Sequence, residues 1–116
     1  MAEILIVDDE PDVRFVLKMA FESAGHQIVE AHHGGAALER VESSRPDLVV
    51  TDVMMPVLDG VELVRRLRSN PETAAIPILL LSSRATSTGG ADMAFAKPFR
   101  PHEVLAAGLS LIEDGG

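Results

Sequence analysis

Residues that could carry out metal or phosphoryl chemistry follow four short apolar runs of the sequence. They are Asp8, Asp9, Glu10, Asp52, Ser82 and Lys97. Carboxylates held close together repel one another unless a cation is bound or their pKa values rise. Magnesium suits such a group, because it typically takes one or two carboxylates together with phosphate oxygens. A lysine and a hydroxyl beside it would supply the positive charge and the hydrogen-bond donor that a phosphoryl group needs.

These residues share a site only if the runs before them are neighbouring strands. Short aliphatic and β-branched runs bounded by turn residues are typical of strands that are buried on both faces, as in a parallel sheet. Such runs are found at Ile4–Val7, Leu48–Val50 and Ile78–Leu81, with a weaker one at Gln27–Ala31 and a last one near Met93–Ala96. Open α/β sheets bind ligands outside the carboxyl ends of their strands, and the chemistry-bearing residues are expected at that edge.

Segments of helical period separate the strands. The first helix follows Pro11, which suits a first helical position. Its predicted inward residues are Val13, Val16, Leu17, Ala20 and Phe21. A second helix is expected from about Gly35 to Ser44, a third after an N-cap at Asp59, and a last from about Arg100 to Glu113. The alternation of strands and helices predicts one α/β domain over residues 1–116 with right-handed crossovers.

Composition excludes several classes of protein. The formal charge of −8 argues against a nucleic-acid surface, which needs a basic face, so no DNA contact is expected. The absence of cysteine excludes disulfides, thiolate zinc sites and a cysteine nucleophile. No apolar run approaches the roughly 20 residues of a membrane-spanning helix, and the N-terminus does not read as a cleavable signal. We therefore expect a soluble, cytoplasmic domain.

Motifs spread over nearly the whole chain combine these features. They are Ile4–Glu10, Pro46–Asp52, Met55-Pro56 with Asp59-Gly60, Leu80–Ser83 and Gly90–Phe99. Together they resemble the receiver domains of two-component response regulators, including the chemotaxis regulators. The resemblance implies a doubly wound, flavodoxin-like fold, in which a five-stranded parallel sheet of order 2-1-3-4-5 carries helices on both faces.

The resemblance also implies a role for each site residue. Asp52 would accept a phosphoryl group from a sensor histidine kinase, a phosphotransfer protein or a small acyl phosphate. Ser82 would follow the phosphoryl group through its hydroxyl, and Lys97 would pair with the phosphoryl oxygens or with Asp52. The peptide bond before Pro98 would be cis. The Mg²⁺ ligands would be Asp8, Asp9, Asp52 and the backbone carbonyl of Met54.

The segment between the fourth and fifth strands departs from the family pattern. A fifth strand at about Asp92–Ala96 leaves only Ser83–Ala91 for a crossover that usually needs a dozen or more residues and a helix. The segment contains two glycines and poor helix formers. We therefore predict that the family's fourth helix is absent or very short, so that the usual output face is not built in the ordinary way.

Two surfaces are affected by this departure. The family's aromatic switch residue lies three places before the lysine, where this chain has Ala94. Phe95 should face the other side of the strand and is interpreted as a core residue. The last helix carries an apolar stripe that either covers the gap within the molecule or forms a homodimer contact. Its residues are Val104, Leu105, Leu109, Leu111 and Ile112.

Some side chains away from the main pattern have two interpretations. Phe15 and Met19 on the first helix either broaden the core stripe or form an exposed pair that suits an apolar partner. In the family the first helix helps to dock the kinase. Met54 and Arg84 occupy positions where family side chains influence the loss of the phosphoryl group. The histidines share neither a helix face nor a ligand spacing, which argues against a metal role.

Three functions compete at this point. The leading hypothesis is a phosphorylation-dependent signalling switch, not a conventional enzyme, that acts on an unknown downstream protein. The second is a constitutive interaction module with an intact acidic site but no switch. The third, a magnesium-dependent phosphohydrolase, is disfavoured because the short chain lacks room for a substrate cap. The sequence leaves open whether the chain is a stand-alone receiver or one domain of a longer regulator.

Overall fold

Strands and helices alternate along the residues that the computed structural model describes, which are 2–55, 58–82 and 90–115. The strands are β1 (Glu3–Val7), β2 (Gln27–Ala31), β3 (Leu48–Asp52), β4 (Ile78–Ser82) and β5 (Met93–Ala96). The helices are α1 (Pro11–Ser23), α2 (Gly34–Ser44), α3 (Gly60–Ser69) and α4 (Pro101–Gly115). In these ranges no helix is long and apolar enough to cross a membrane.

All of these strands are parallel and form one sheet of order β2-β1-β3-β4-β5, which confirms the predicted order. In the register of the inner strands, Asp52 of β3 lies opposite Leu81 of β4. At the outer edge, Ser82 of β4 lies opposite Ala96 of β5. The residues that end or follow β1, β3, β4 and β5 therefore lie along one edge of the sheet.

Alternation along the strands divides the core into two layers. Leu5 and Val7 pack into the layer that includes residues of α2 and α3, whereas Ile4 and Ile6 pack with α1 and α4. Side chains of successive strand residues point to opposite faces of the sheet. In a strand covered on both faces, every side chain therefore faces a packed layer, which favours apolar residues. This explains why β1, β3 and β4 appear in the sequence as largely apolar runs, whereas β2 is interrupted by polar residues and is less buried.

The connection between β4 and β5 is short. β4 ends at Ser82 and β5 begins at Met93, and within this connection residues 83–89 lie outside the described residues. The predicted loss of the family's fourth helix falls mainly on those residues. The described end of the connection joins the sheet through the Asp92 N–H, which donates to the Ile78 carbonyl at 2.9 Å. The helix after β5 is α4.

The inner face of α1 is narrower than the sequence predicts. Leu17 and Phe21 are fully buried, and Val13 packs partly against the same layer. Val16 was predicted to face inward, but its side chain is 40% exposed, so that prediction is wrong. Buried positions spaced by four residues leave the intervening apolar positions at the margin of the stripe.

An apolar surface therefore remains on the outside of α1. Phe15 is 62% exposed and Met19 is 55% exposed, which excludes the interpretation that they broaden the core stripe. Together with Val16, these residues form a surface that we call the α1 patch. No such patch is needed for packing the described part of the domain, since Leu17 and Phe21 already bury the inner face.

The start of α2 depends on a histidine cap. The helix begins at Gly34, one residue earlier than predicted, and the Nδ1 atom of His33 accepts a hydrogen bond from the Ala36 N–H at 3.0 Å. A Cβ atom at Gly34 would lie 2.6 Å from the carbonyl oxygen of Leu58. Glycine is required there because the loop before α3 approaches the helix so closely.

Much of the apolar stripe of α4 is used within the molecule. Val104 is fully buried, and Leu105, Leu111 and Ile112 pack partly against the layer that includes α1. Phe95 of β5 packs against the same layer, which confirms its interpretation as a core residue. The intramolecular role accounts for these residues, and a homodimer stays a prediction.

The difference between the two faces of α1 can be measured by truncation. Leu17→Ala should lower the free energy of unfolding by about 2–5 kcal/mol, because it leaves a cavity in a fully buried layer. Val16→Ala should change it by only about 0.5 kcal/mol, as expected at a surface position. Urea unfolding followed by circular dichroism measures both. Equal losses in the two variants would contradict the assigned orientation of the helix.

Candidate functional site: an acidic cluster at the sheet edge

Four carboxylates meet at the carboxyl edge of the sheet. One oxygen from each of Asp8, Asp9, Glu10 and Asp52 lies within 4.8 Å of the others. Asp8 and Asp52 are buried, at 0% and 3% exposure, while Asp9 and Glu10 are exposed. The group contains Asp8, Asp9 and Asp52, the three acids that the sequence assigns to the metal, together with Glu10, which follows Asp8 and Asp9 after β1.

Lys97 bridges this acidic cluster from the far side of the sheet. Its Nζ atom lies 3.0 Å from Asp8 Oδ2, 3.3 Å from Asp52 Oδ2 and 3.5 Å from Glu10 Oε1. The Lys97 side chain is only 16% exposed. The peptide bond to Pro98 is cis, as predicted. One cation is therefore shared among three carboxylates in a poorly hydrated position, where charge pairing is stronger than in water.

The backbone holds Asp8 firmly although it lies beyond the end of β1. Its N–H donates to the Ala31 carbonyl of β2 at 3.1 Å, and its Oδ1 accepts from the Glu10 N–H at 2.9 Å. Its carbonyl accepts a hydrogen bond from Nη1 of Arg14 at 2.7 Å. Sequence reasoning missed Arg14, although a basic residue in the first turns after an acidic strand end was an available signal.

Asp52 is fixed by a close approach of α3. The Val53 N–H donates to the Leu81 carbonyl, and the Gly60 N–H donates to the Val53 carbonyl, both at 2.9 Å. A Cβ atom at Gly60 would lie 2.2 Å from the Asp52 carbonyl oxygen, so only glycine fits. The helix starts there because Asp59 caps it, with its Oδ1 accepting from the Glu62 N–H at 2.8 Å.

Ser82 and Met54 occupy the same edge in different ways. Ser82 is buried at the end of β4, and its carbonyl accepts from the Lys97 N–H at 2.6 Å. The Met54 side chain is 64% exposed, while its backbone N–H is hydrogen-bonded to Asp52. The structure thus brings every sequence-predicted site residue to one edge of the sheet.

Burial dominates the electrostatics of the two inner acids. It raises the pKa of Asp8, against the opposing effects of the Glu10 N–H and Lys97. It also raises the pKa of Asp52, against the effects of Lys97 and the Met54 N–H. Burial alone would lower the pKa of Lys97, but its hydrogen bond and charge pairing with Asp8 and with Asp52 outweigh it and raise that pKa. The site is therefore short of positive charge.

Comparison with known proteins identifies the family. A family model described as the response regulator receiver domain matches residues 4–108. The chain belongs to this family. Receiver domains are signalling domains rather than conventional enzymes; they interact with histidine kinases and bind Mg²⁺ at an acidic site.

Individual relatives and solved structures agree with this assignment. Response regulator MprA of Mycobacterium ulcerans is 42% identical over 94% of this chain and 49% of its own length. The signal receiver domain of a signal transduction histidine kinase from Syntrophus aciditrophicus is 31% identical, with a TM-score of 0.91 over 98% of this chain and 92% of that one. Chemotaxis protein CheY4 of Vibrio cholerae is 30% identical, with a TM-score of 0.88 over 96% and 98% of the chains. The chain spans about half the length of the curated relatives it matches.

The acidic cluster of this receiver domain fits a magnesium ion. Its donor set consists of carboxylate oxygens from Asp8, Asp9, Glu10 and Asp52, and hard divalent cations prefer oxygen ligands. The raised pKa values of Asp8 and Asp52 show that Lys97 alone does not offset their burial. A divalent cation at this edge would supply the missing charge.

Burying the ionised Asp52 carboxylate is unfavourable, which predicts that Asp52→Asn changes thermal stability in a pH-dependent way. The pKa of Asp52 is raised in the folded state above its ordinary value of 3.8. Between the unfolded-state and folded-state pKa values, the folded protein therefore binds more protons than the unfolded chain. The free energy of unfolding falls as pH rises through this window. The variant should therefore have a higher Tm than wild type at pH 7 in EDTA, and this advantage should disappear below the window.

The matched control is Glu39→Gln, which removes an exposed charge on α2. It should leave the Tm nearly unchanged at both pH values. Differential scanning calorimetry measures all three proteins. A lower Tm for Asp52→Asn than for wild type at pH 7 without metal would contradict the assigned electrostatics.

Proposed function

We propose that the chain is a phosphorylation-dependent signalling switch that receives a phosphoryl group on Asp52. The observation that carries this proposal is the buried Asp52 carboxylate, which lies 3.3 Å from Lys97 Nζ inside a four-carboxylate cluster. The donor would be a sensor histidine kinase or a phosphotransfer protein. The family membership supports this direction of transfer, since receiver domains interact with histidine kinases.

The residues at the sheet edge suit an in-line phosphoryl transfer. A carboxylate oxygen of Asp52 attacks the phosphorus of the donor phosphohistidine, and the P–N bond breaks with its electron pair returning to the imidazole. Lys97 pairs with a phosphoryl oxygen in place of an Asp52 oxygen. Ser82, buried at the end of the neighbouring strand, donates its hydroxyl to the phosphoryl group. These roles match the positions of the side chains along one edge.

Bound Mg²⁺ would offset the charge of the carboxylates and of the phosphoryl group. We assign its ligands to Asp8, Asp9, Asp52 and the backbone carbonyl of Met54. The main-chain ligand makes the identity of the Met54 side chain unimportant for metal binding. Glu10 lies in the same cluster, but its Oε1 is directed to Lys97 at 3.5 Å.

The α1 patch and the groove beside it would dock the phosphodonor. The groove runs between the start of α1 and the segment after Lys97, and its lining includes Val13, Val16, Pro98 and Phe99. It opens beside the phosphoacceptor edge, because Lys97 and Glu10 also line it. An apolar helical surface of a kinase would bury this patch while presenting its phosphohistidine to Asp52.

Output would follow through protein contacts with a downstream partner. We propose that residues 1–116 form a single receiver domain and that this domain does not contact DNA, because its net charge of −8 opposes phosphate binding. The new phosphoryl charge would bias the arrangement of Ser82 and the segment behind it. In a longer regulator, an attached domain would read that change.

A second candidate is a constitutive interaction module with the acidic site but no switch. The observation that favours it is Ala94, which stands at the place of the family's aromatic switch and is exposed. The two candidates differ in one measurement. On beryllofluoride treatment with Mg²⁺, the switch predicts amide NMR shift changes on β5 and α4, away from Asp52, whereas the passive module predicts changes confined to the acidic edge.

The phosphoacceptor is tested by labelling with a small donor. Wild type incubated with Mg²⁺ and acetyl phosphate should gain the mass of one phosphoryl group, and Asp52→Asn should gain none, because the amide is not nucleophilic. Asp12→Asn serves as the matched control, since Asp12 is an exposed acid of α1 outside the cluster. Intact-protein mass spectrometry gives the readout. Labelling that persists in Asp52→Asn refutes the assignment.

Docking on the α1 patch predicts a donor-dependent defect. The donor for this test is a histidine kinase that phosphorylates wild type. Phe15→Ala should slow phosphoryl transfer from that kinase by about tenfold, which is the effect of losing an aromatic contact at an interface. Transfer from acetyl phosphate should be unchanged, because the acidic edge is intact. Val61→Ala, which truncates an exposed apolar side chain on α3, is the control. An equal defect with both donors would contradict docking.

A further inference from the structure

We propose that Arg14, held by Glu30, is a positioning residue that sets the backbone of the metal ligand Asp8 and thereby the affinity of the acidic edge for Mg²⁺. The inference rests on the proposed function, because it takes Asp8 as a magnesium ligand. It adds to the site two residues from α1 and β2 that lie outside the acidic cluster.

The contacts of Arg14 form a two-point bridge. Nη1 donates to the Asp8 carbonyl at 2.7 Å, and Nε donates to Glu30 Oε1 at 3.1 Å. The Arg14 side chain is 19% exposed, so most of its surface is shielded from solvent. Lys18 Nζ lies 3.8 Å from the other carboxylate oxygen of Glu30.

Asp8 depends on this bridge because it lies just past the end of a strand. Val7 is the last residue of β1, and the Asp8 N–H is still fixed by the Ala31 carbonyl. On the carbonyl side, Arg14 supplies the hydrogen bond that a continuing strand would otherwise provide. With both main-chain groups held, the Asp8 side chain leaves the backbone in a defined direction toward Asp52.

Arg14 contacts Asp8 without using either of its carboxylate oxygens, which are the atoms that would bind the metal. Lys97 already contacts Asp8 Oδ2, and the Glu10 N–H contacts Oδ1. Arg14 binds the main chain instead, and Glu30 draws its guanidinium to the β2 side. The planar guanidinium can meet both partners at once, which the single ammonium of a lysine cannot do with the same geometry.

Magnesium affinity of the whole chain is the direct readout. Arg14→Ala should weaken Mg²⁺ binding by about 10- to 100-fold, the usual effect of removing a residue that orients a metal ligand. Arg14→Lys should recover only part of this loss. Isothermal titration calorimetry with MgCl₂ gives the dissociation constant, and the Tm in EDTA reports general loss of stability.

Three further variants separate orientation from charge and from folding. Glu30→Gln keeps an oxygen that accepts from Arg14 Nε, so the Mg²⁺ affinity of this variant should stay within about threefold of wild type. Glu30→Ala keeps the Arg14 charge but removes that acceptor, so it should lose part of the Mg²⁺ affinity. Glu30→Ala also tests the bridge if Arg14→Ala does not fold. Arg65→Ala is the matched control, since Arg65 is exposed and its partner Glu62 keeps Arg66.

Each outcome decides the proposal. Weaker binding in Arg14→Ala and Glu30→Ala, with near-normal binding in Glu30→Gln and Arg65→Ala, supports it. A dissociation constant for Arg14→Ala within twofold of wild type overturns it, whether or not the Tm falls, as does a Glu30→Gln defect as large as that of Arg14→Ala. Failure of wild type to bind Mg²⁺ would instead refute the proposed function.

Discussion

The structure depends on holding two carboxylates, Asp8 and Asp52, side by side in a buried position with one shared cation. Burial raises the pKa of both, and Lys97 counters this only in part. A site built in this way is electrostatically incomplete: it attracts a divalent cation and is ready for a reaction that changes its charge. The fold can keep such a group because β3 is buried throughout and β1 is buried from Ile4 to Val7.

Several segments that are distant in the sequence hold Asp8 and Asp52 in place. β1 and β3 are neighbours in the sheet and place the two acids next to each other, while β5 carries Lys97 in from the far edge. Gly60 lets α3 press against the Asp52 backbone, and Arg14 ties Asp8 to α1. The chemistry is therefore a property of the sheet edge as a whole, which is why its residues are so widely spaced in the sequence.

The sequence predicts this edge well because its signals are local and strong. Apolar runs identify most of the strands, and the polar residues that follow them mark the site, so Asp52 and Lys97 could be named in advance. The sequence could not predict the exposure of Val16, the cap at His33 or the contact of Arg14 with the Asp8 carbonyl. The exposure of Val16 depends on how α1 packs against the sheet and α4. The His33 cap and the Arg14 contact are local, but they depend on side-chain orientations that periodicity and propensity do not specify.

Carbon-detected NMR titration of the aspartate carboxyl groups tests the central claim most directly. In the metal-free chain, Asp8 and Asp52 should each have a pKa above the usual aspartate range, because burial outweighs the shared Lys97. Saturating Mg²⁺ should lower both values, since the cation favours the ionised forms. Ordinary pKa values for both residues that Mg²⁺ does not move would contradict the account.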